Sequence, residues 1–182
     1  LGKAIATLFA RLGANLIICG RNEEKLRVSE TYFKSFGHGV STHILSIREP
    51  DAVDRFMSEA WTAFGGVDIL VNNAGGQFAQ SAIDFKPKGW KAVIDTNLNG
   101  TWFMTQAAAK RWINNKLKGN IVNIVADIWR GMPGIAHTAA ARAGVIYLTK
   151  SIAVEWAPME IRVNCVAPGC CETSAFQQYA PK

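Results

Sequence analysis

The chain has 182 residues, 49% of them hydrophobic and 19% charged. That length allows one domain with a sizeable core, and the composition excludes a disordered chain and a coiled coil. Twenty Lys and Arg against fourteen Asp and Glu leave a net charge of +6. The charges are scattered and alternate in sign along stretches such as Arg21–Arg27. Such a surface suits a phosphate-rich cofactor or a coenzyme A thioester; nucleic acid is not the expected partner. No apolar run approaches the ~20 residues of a membrane helix, so no membrane partner is expected either. The four cysteines read as reduced thiols of an intracellular protein, because Cys170 and Cys171 are neighbours and neighbours rarely bridge.

The chain opens at Leu1 directly into helical spacing, with Ile5, Leu8, Phe9 and Leu12 on one face, and stops at Lys182 without a closing strand or helix. The expectation is a single domain over 1–182, truncated at both ends and lacking its first strand and its C-terminal elements. Targeting signals at either terminus are unreadable for the same reason, and the expected location is cytoplasmic, with peroxisome or mitochondrion open. In chain order, a helix over 3–13 ends at Gly13, and an apolar strand Asn15–Cys19 runs into Gly20-Arg21. A charged helix over 22–36 is followed by a strand Val40–Ile47, then a helix Asp51–Phe64 with Pro50 at its start. Strand Val67–Val71 leads into Asn72-Asn73-Ala74-Gly75-Gly76, and a long helical region covers 87–115. Strand Asn120–Val125, helix 134–157 and strand Arg162–Val166 complete the series. Short β-branched strands alternating with helices predict an α/β fold, a Rossmann-like doubly wound parallel sheet with helices on both faces.

Ligands of such sheets bind at the carboxyl ends of the strands. The residues to examine are therefore Gly20-Arg21, Ser46-Ile47, Asn72–Gly76, Val125–Asp127 and Pro168-Gly169 with Thr173. An acidic residue after the second strand of a dinucleotide fold takes the ribose 2′-hydroxyl, whereas a cation accommodates a 2′-phosphate, so Arg21 points to NADP(H). Asn97 sits in the middle of the long helical region, where its side chain competes for the backbone. A kink there frees a carbonyl to hold water.

Together these residues resemble the short-chain dehydrogenase/reductase family. The resemblance rests on Leu1-Gly2-Lys3-Ala4-Ile5-Ala6, Asp68-Ile69-Leu70-Val71-Asn72-Asn73-Ala74-Gly75, Asp95-Thr96-Asn97-Leu98, Gly119-Asn120-Ile121-Val122-Asn123-Ile124 and Arg162-Val163-Asn164-Cys165-Val166-Ala167-Pro168-Gly169, in the family's order. It implies that Leu1-Gly2 is the tail of the glycine-rich phosphate loop. The catalytic positions depart from the family's pattern: its Ser position falls on Val125, its Tyr on Thr138 and its Lys on Arg142. Tyr147 stands three residues before Lys150 instead of four, and about 180° around the helix from Thr138, so it reads as packing. Within the family, the enoyl-CoA and dienoyl-CoA reductase branch, the peroxisomal trans-2-enoyl-CoA reductases among them, departs in this way. The loop Asn72-Asn73-Ala74-Gly75-Gly76-Gln77-Phe78, Gly89-Trp90, Ala141-Arg142-Ala143-Gly144-Val145 and Glu155-Trp156-Ala157 resemble that branch.

The resemblance implies NADPH-dependent reduction of the C2–C3 double bond of an acyl-CoA thioester, without a metal. It gives Arg142 the nicotinamide ribose hydroxyls, Thr138 a hydrogen bond to substrate oxygen or ribose, and Asn97 a water that carries the proton to C2. Asn73, Ala74 and Gly75 line the adenosine side of the cofactor, with Ser46 and Ile47 near the adenine and Gly2 beside the phosphates. Pro168, Gly169 and Thr173 line the nicotinamide side. His137 is an alternative acid, although on a helix it points about 100° away from Thr138. Two other functions stay open: an NADP-dependent carbonyl or alcohol oxidoreductase, and a non-catalytic NADP-binding homologue. Relatives pair through the two long helices, so a homodimer or homotetramer is expected.

Overall fold

The computed structural model describes residues 1–171, in two compact units, Leu1–Val67 and the residues from Asp68 on. In the first unit α1 (Gly2–Arg11), β1 (Leu16–Gly20), α2 (Glu23–Lys34), β2 (Val40–Ile44) and α3 (Pro50–Phe64) alternate. The start of α2 is written in its sequence. Asn22 accepts a hydrogen bond from the backbone N–H of Lys25 at 2.8 Å, and Glu23 and Glu24 occupy the first turn, where the helix dipole favours negative charge. Strands β1 and β2 pair in parallel, with Leu16 opposite Val40 and Gly20 opposite Ile44. The strand predicted over Val40–Ile47 is therefore shorter: β1 ends at Gly20, and past Ile44 the ladder continues only through the Leu45 N–H to the Gly20 carbonyl at 2.9 Å. Ala10, Leu26, Phe33, Val53, Phe56, Met57 and Ala60 form this unit's core, each of the larger side chains stabilising it by about 1.5–3 kcal/mol.

The second unit contains β3 (Ile69–Asn72), α4 (Pro87–Ile94), α5 (Gly100–Asn114), β4 (Gly119–Ile124), α6 (Ala136–Glu155) and β5 (Ile161–Val166). Its sheet is parallel throughout in the order β3-β4-β5, with Leu70 opposite Ile121 and Ile121 opposite Val163. The core side of β4 and β5, carrying Ile121, Ile161 and Val163, is buried with Trp112, Met104 and Ala107–Ala109 of α5 and with Ala141, Val145 and Ile152 of α6. Parallel strands alternating with helices make this the Rossmann-like α/β fold that the sequence predicts.

The predicted helix over 87–115 is interrupted. Between α4 and α5, residues Asp95–Asn99 form a π-helical turn, and the Gly100 N–H reaches back five residues to the Asp95 carbonyl. Short polar side chains supply the cause. Thr96 Oγ1 donates to the Ala92 carbonyl at 2.9 Å, Thr101 Oγ1 to the Asn97 carbonyl at 3.0 Å, and Asn99 Nδ2 to Asp95 Oδ1 at 2.8 Å. Two hydroxyls that compete for backbone carbonyls within and just after the turn loosen the regular ladder at that point.

Candidate active site

In the second unit two buried strand residues, Asn72 and Asn123, are amides. Asn72 Nδ2 donates to Thr105 Oγ1 at 2.9 Å and to Asn123 Oδ1 at 2.8 Å. Asn123 Nδ2 donates to Thr149 Oγ1 at 2.9 Å, which also accepts from Cys165 Sγ at 3.1 Å. The chain of bonds ties α5, β3, β4, α6 and β5 together beneath the carboxyl edge of the sheet. A fully paired network of this kind fixes one arrangement of strands and helices, because each unpaired buried group is costly.

Helix α6 follows the sheet with Thr138, Arg142, Val145, Thr149 and Ile152 buried at helical spacing. Arg142 is 9% exposed, and its guanidinium makes no hydrogen bond or ion pair among the described residues. Burial holds its pKa below the ordinary value, while the nearby Cys165 works the other way. Conversely, burial raises the Cys165 thiol, against the Thr149 hydrogen bond and the Arg142 charge. An Arg stays protonated in proteins, so α6 presents a nearly buried cation with no counter-charge among the described residues.

The Asn72–Gly76 turn meets that cation. A Cβ at Gly75 would collide with Arg142 Nη2 and stand 2.8 Å from Asn97 Oδ1, so only glycine lets backbone and guanidinium touch here. Asn97, 0% exposed, holds the next residue at both ends: its Oδ1 accepts from the Gly76 N–H at 2.9 Å and its Nδ2 donates to the Gly76 carbonyl at 2.8 Å. The Asn97 backbone carbonyl, expected to hold water, accepts from Thr101. The structure thus brings Gly75, Asn97 and Arg142 into one cluster. Asn73 is half-buried and Ala74 exposed on the same turn.

Thr138 is buried at the start of α6, beside His137. Its N–H donates to the Ile135 carbonyl at 2.9 Å and to His137 Nδ1 at 2.8 Å, and its Oγ1 lies 3.4 Å from the same nitrogen. The imidazole stacks on Phe85 with centroids 4.4 Å apart, and Phe78 approaches it edge-on at 4.5 Å. Phe78 in turn lies against Gly89 of α4, where a Cβ would stand 2.9 Å from its Cζ. Burial lowers the His137 pKa, partly offset by the Ile135 carbonyl. The sequence offered Phe78, Gly89-Trp90 and His137 as separate features, did not single out Phe85, and gave no sign that the four meet. Val125 is buried, and its N–H donates to the Val166 carbonyl at 2.9 Å. Tyr147, expected to pack, is instead 69% exposed with Lys150 Nζ 4.6 Å above its ring, because α6 turns that face away from the sheet. Pro168 is half-buried and Gly169 exposed just beyond β5, whereas Thr173 lies outside the described residues.

In the first unit the carboxyl edge carries Arg21, exposed, immediately past β1 and before the Asn22 cap. Ser46 Oγ accepts from the Arg48 N–H at 3.4 Å, Ile47 is buried, and Gly2 is the first residue of α1.

The pattern of residues matches the family model described as short chain dehydrogenase over residues 1–182. The chain belongs to this family. Its members are oxidoreductases that bind a nicotinamide cofactor. A Bacillus subtilis (strain 168) protein named "Probable 2,4-dienoyl-CoA reductase [(2E)-enoyl-CoA-producing]" is 43% identical over 171 residues, 93% of this chain and 67% of that protein. A 3-oxoacyl-[acyl-carrier-protein] reductase FabG from Vibrio cholerae is 36% identical over 174 residues, 95% of this chain and 70% of its own length. A solved short chain dehydrogenase structure from Bacillus anthracis superposes with a TM-score of 0.91 at 43% identity, covering 94% of this chain and 72% of that one. Among the described residues no helix is long and apolar enough to cross a membrane.

Proposed function

We propose that the protein reduces the C2–C3 double bond of an enoyl-CoA thioester with NADPH. The observation that carries this reading is Arg142: a nearly buried guanidinium, without a counter-ion among the described residues, touching the Gly75 backbone where the family's pattern has Lys. Thr138 stands four residues before it on the same face. Tyr147, the one tyrosine between Asp68 and Cys171, is exposed on the far face of α6. Delivering a proton to a ketone oxygen needs an acid such as a Tyr of lowered pKa. An enoyl thioester takes hydride at C3, with the negative charge on the thioester oxygen held by a hydrogen-bond donor and a cation, and the enolate then takes a proton at C2 from solvent water. The B. subtilis relative's printed name supports the same substrate class.

The turn and the guanidinium suit a nicotinamide cofactor, which when bound supplies the hydride. Gly75 allows close approach of a ligand to backbone, and Asn97 positions that turn through Gly76. Arg142 holds ribose hydroxyls and lends positive charge; Thr138 gives a second hydrogen bond. Asn73, Ala74, Pro168 and Gly169, with Thr173, are the cofactor-binding positions of the second unit, and Gly2, Ser46 and Ile47 those of the first. Arg21 favours NADP(H) through the 2′-phosphate. The homodimer or homotetramer, the single domain and the location stay with this proposal.

A second reading, reduction of a 3-oxoacyl thioester or another carbonyl, draws on the likeness to the V. cholerae reductase. The test is NADPH oxidation by the purified protein with a medium-chain trans-2-enoyl-CoA and, separately, a 3-oxoacyl-CoA. Turnover of the enoyl substrate that falls at least ~100-fold in Arg142→Ala is expected. Turnover of the 3-oxo substrate alone supports the second reading. NADPH binding without turnover on either makes the chain a non-catalytic homologue.

A further inference from the structure

Among the described residues Arg142 is the buried one that carries a full charge at neutral pH, since burial holds His137 below its ordinary pKa. Taking a guanidinium out of water is costly unless a counter-charge and hydrogen bonds replace its hydration. Neither is present among the described residues. Asn97 Oδ1, which a Cβ at Gly75 would meet together with Arg142 Nη2, already accepts from the Gly76 N–H at 2.9 Å. Cys165 is the titratable group that acts on Arg142, and burial raises its thiol above the ordinary 9.0. It is therefore protonated at neutral pH and brings no negative charge.

The donors of this cation are nevertheless within reach of solvent. Two side-chain atoms are both sealed and without a partner among the described residues, Asn120 Oδ1 and His137 Nε2, and no nitrogen of Arg142 is one of them. Unbonded as they are, the Arg142 nitrogens keep some surface, so the 9% of the residue that is exposed includes its charged end. That end does not sweep freely through solvent. The stem is buried in α6, and Nη2 lies against the Gly75 backbone, an approach that a Cβ would block. A fixed planar fork of N–H donors matches a carboxylate, which accepts two parallel bonds and returns a charge that a neutral hydroxyl cannot. The chain's net charge of +6 favours the approach of such an anion.

We propose that the Arg142 guanidinium, seated against the Gly75 turn, binds a small carboxylate when no cofactor is present. Arg142 on α6 and Gly75 after β3 belong to one compact unit, so the site is complete within it. The assignment rests on this side chain and not on the reductase reading.

The probe is sodium formate, added to the whole protein without cofactor. With 15N-arginine label, the Arg142 Nε–H resonance, recognised by its loss in Arg142→Gln, should shift and saturate in the millimolar range. At ten times the dissociation constant formate should raise the Tm of the parent by about 3–6 °C, and that of Arg142→Gln by less than about 1 °C. Arg142→Lys keeps the charge without the fork and should bind formate at least about tenfold more weakly, which decides the matter if Arg142→Gln does not fold. A shift that never saturates, equal Tm changes in parent and Arg142→Gln, or an equal response to sodium chloride overturns the site. Adding NADPH to the formate-loaded protein then separates this proposal from the previous one. Reversal of the shift supports both. A shift that persists while NADPH fluorescence shows the cofactor bound keeps the carboxylate site and removes Arg142 from the cofactor.

Discussion

Asn123→Ala removes the middle of the buried polar chain, and its cost follows from the bonds that it breaks. The side chain accepts from Asn72 Nδ2 at 2.8 Å and donates to Thr149 Oγ1 at 2.9 Å while 1% exposed. Two hydrogen bonds contribute about 1 kcal/mol each, and the stranded Asn72 N–H costs about 1–3 kcal/mol more, since Thr105 takes only one of its two protons. The small void adds on the order of 0.5–1 kcal/mol. The variant should therefore lose about 4 kcal/mol, a fall of about 2 M in the urea midpoint for a slope near 2 kcal/mol/M. Urea unfolding followed by circular dichroism measures this. Asn123→Asp adds a second arm with a defined sign. A buried carboxyl has a raised pKa in the folded state, so the variant should be most stable in acid and lose stability as the pH rises above about 4. A loss under 1 kcal/mol in Asn123→Ala, or no pH dependence specific to Asn123→Asp, would refute the view that this chain of bonds holds the strands beneath the site.

Arg21→Asp should weaken NADPH by about 10–100-fold, the worth of a charge-assisted bond to the 2′-phosphate, and leave NADH unchanged or tighter; equal effects on both cofactors would remove Arg21 from the 2′ position. Cys170 and Cys171 are exposed and should react with a thiol reagent at once at neutral pH, whereas Cys19, its thiol pushed up by burial to about 11, should react slowly. Because the unfolded thiol ionises near its ordinary 9.0 and the folded one only at about 11, the contribution of Cys19 is present below pH 9 and is lost as the pH rises through 11. That loss is about 2–3 kcal/mol and should vanish in Cys19→Ala.

Much of the fold was legible in the chain, for identifiable reasons. Leu16–Gly20 is a short apolar run that ends at glycine, the form parallel strands take, and Ile161–Val166 alternates buried Ile161 and Val163 with exposed Arg162 and Asn164. Asn97 announced the irregular turn because a short amide in mid-helix competes for the backbone. The buried face of α6 was readable from the spacing of Thr138 and Arg142. The end of β2 was not, since it depends on where β1 stops pairing. The His137 cluster was not legible either: Phe78 and Phe85 lie in a segment without helical or strand period, and their contact with α6 is purely tertiary. Tyr147 misled in another way, because an aromatic residue on a helix suggests packing while this face of α6 carries exposed Tyr147 and Val154.

The π turn at Asp95–Asn99 makes this stretch a counting device. Each helical residue advances the next by about 100°, and the wide turn absorbs one residue that a regular helix would not. Deleting a single residue there would let α4 and α5 close into one continuous rod while swinging everything before the deletion about 100° around the axis. Asn97 would leave Gly76, and Gly89 would rotate away from Phe78. The segment should accordingly accept many changes of side chain and almost none of length, so that insertions and deletions between Pro87 and Asn114 act as losses of the site long before they act as losses of the helix.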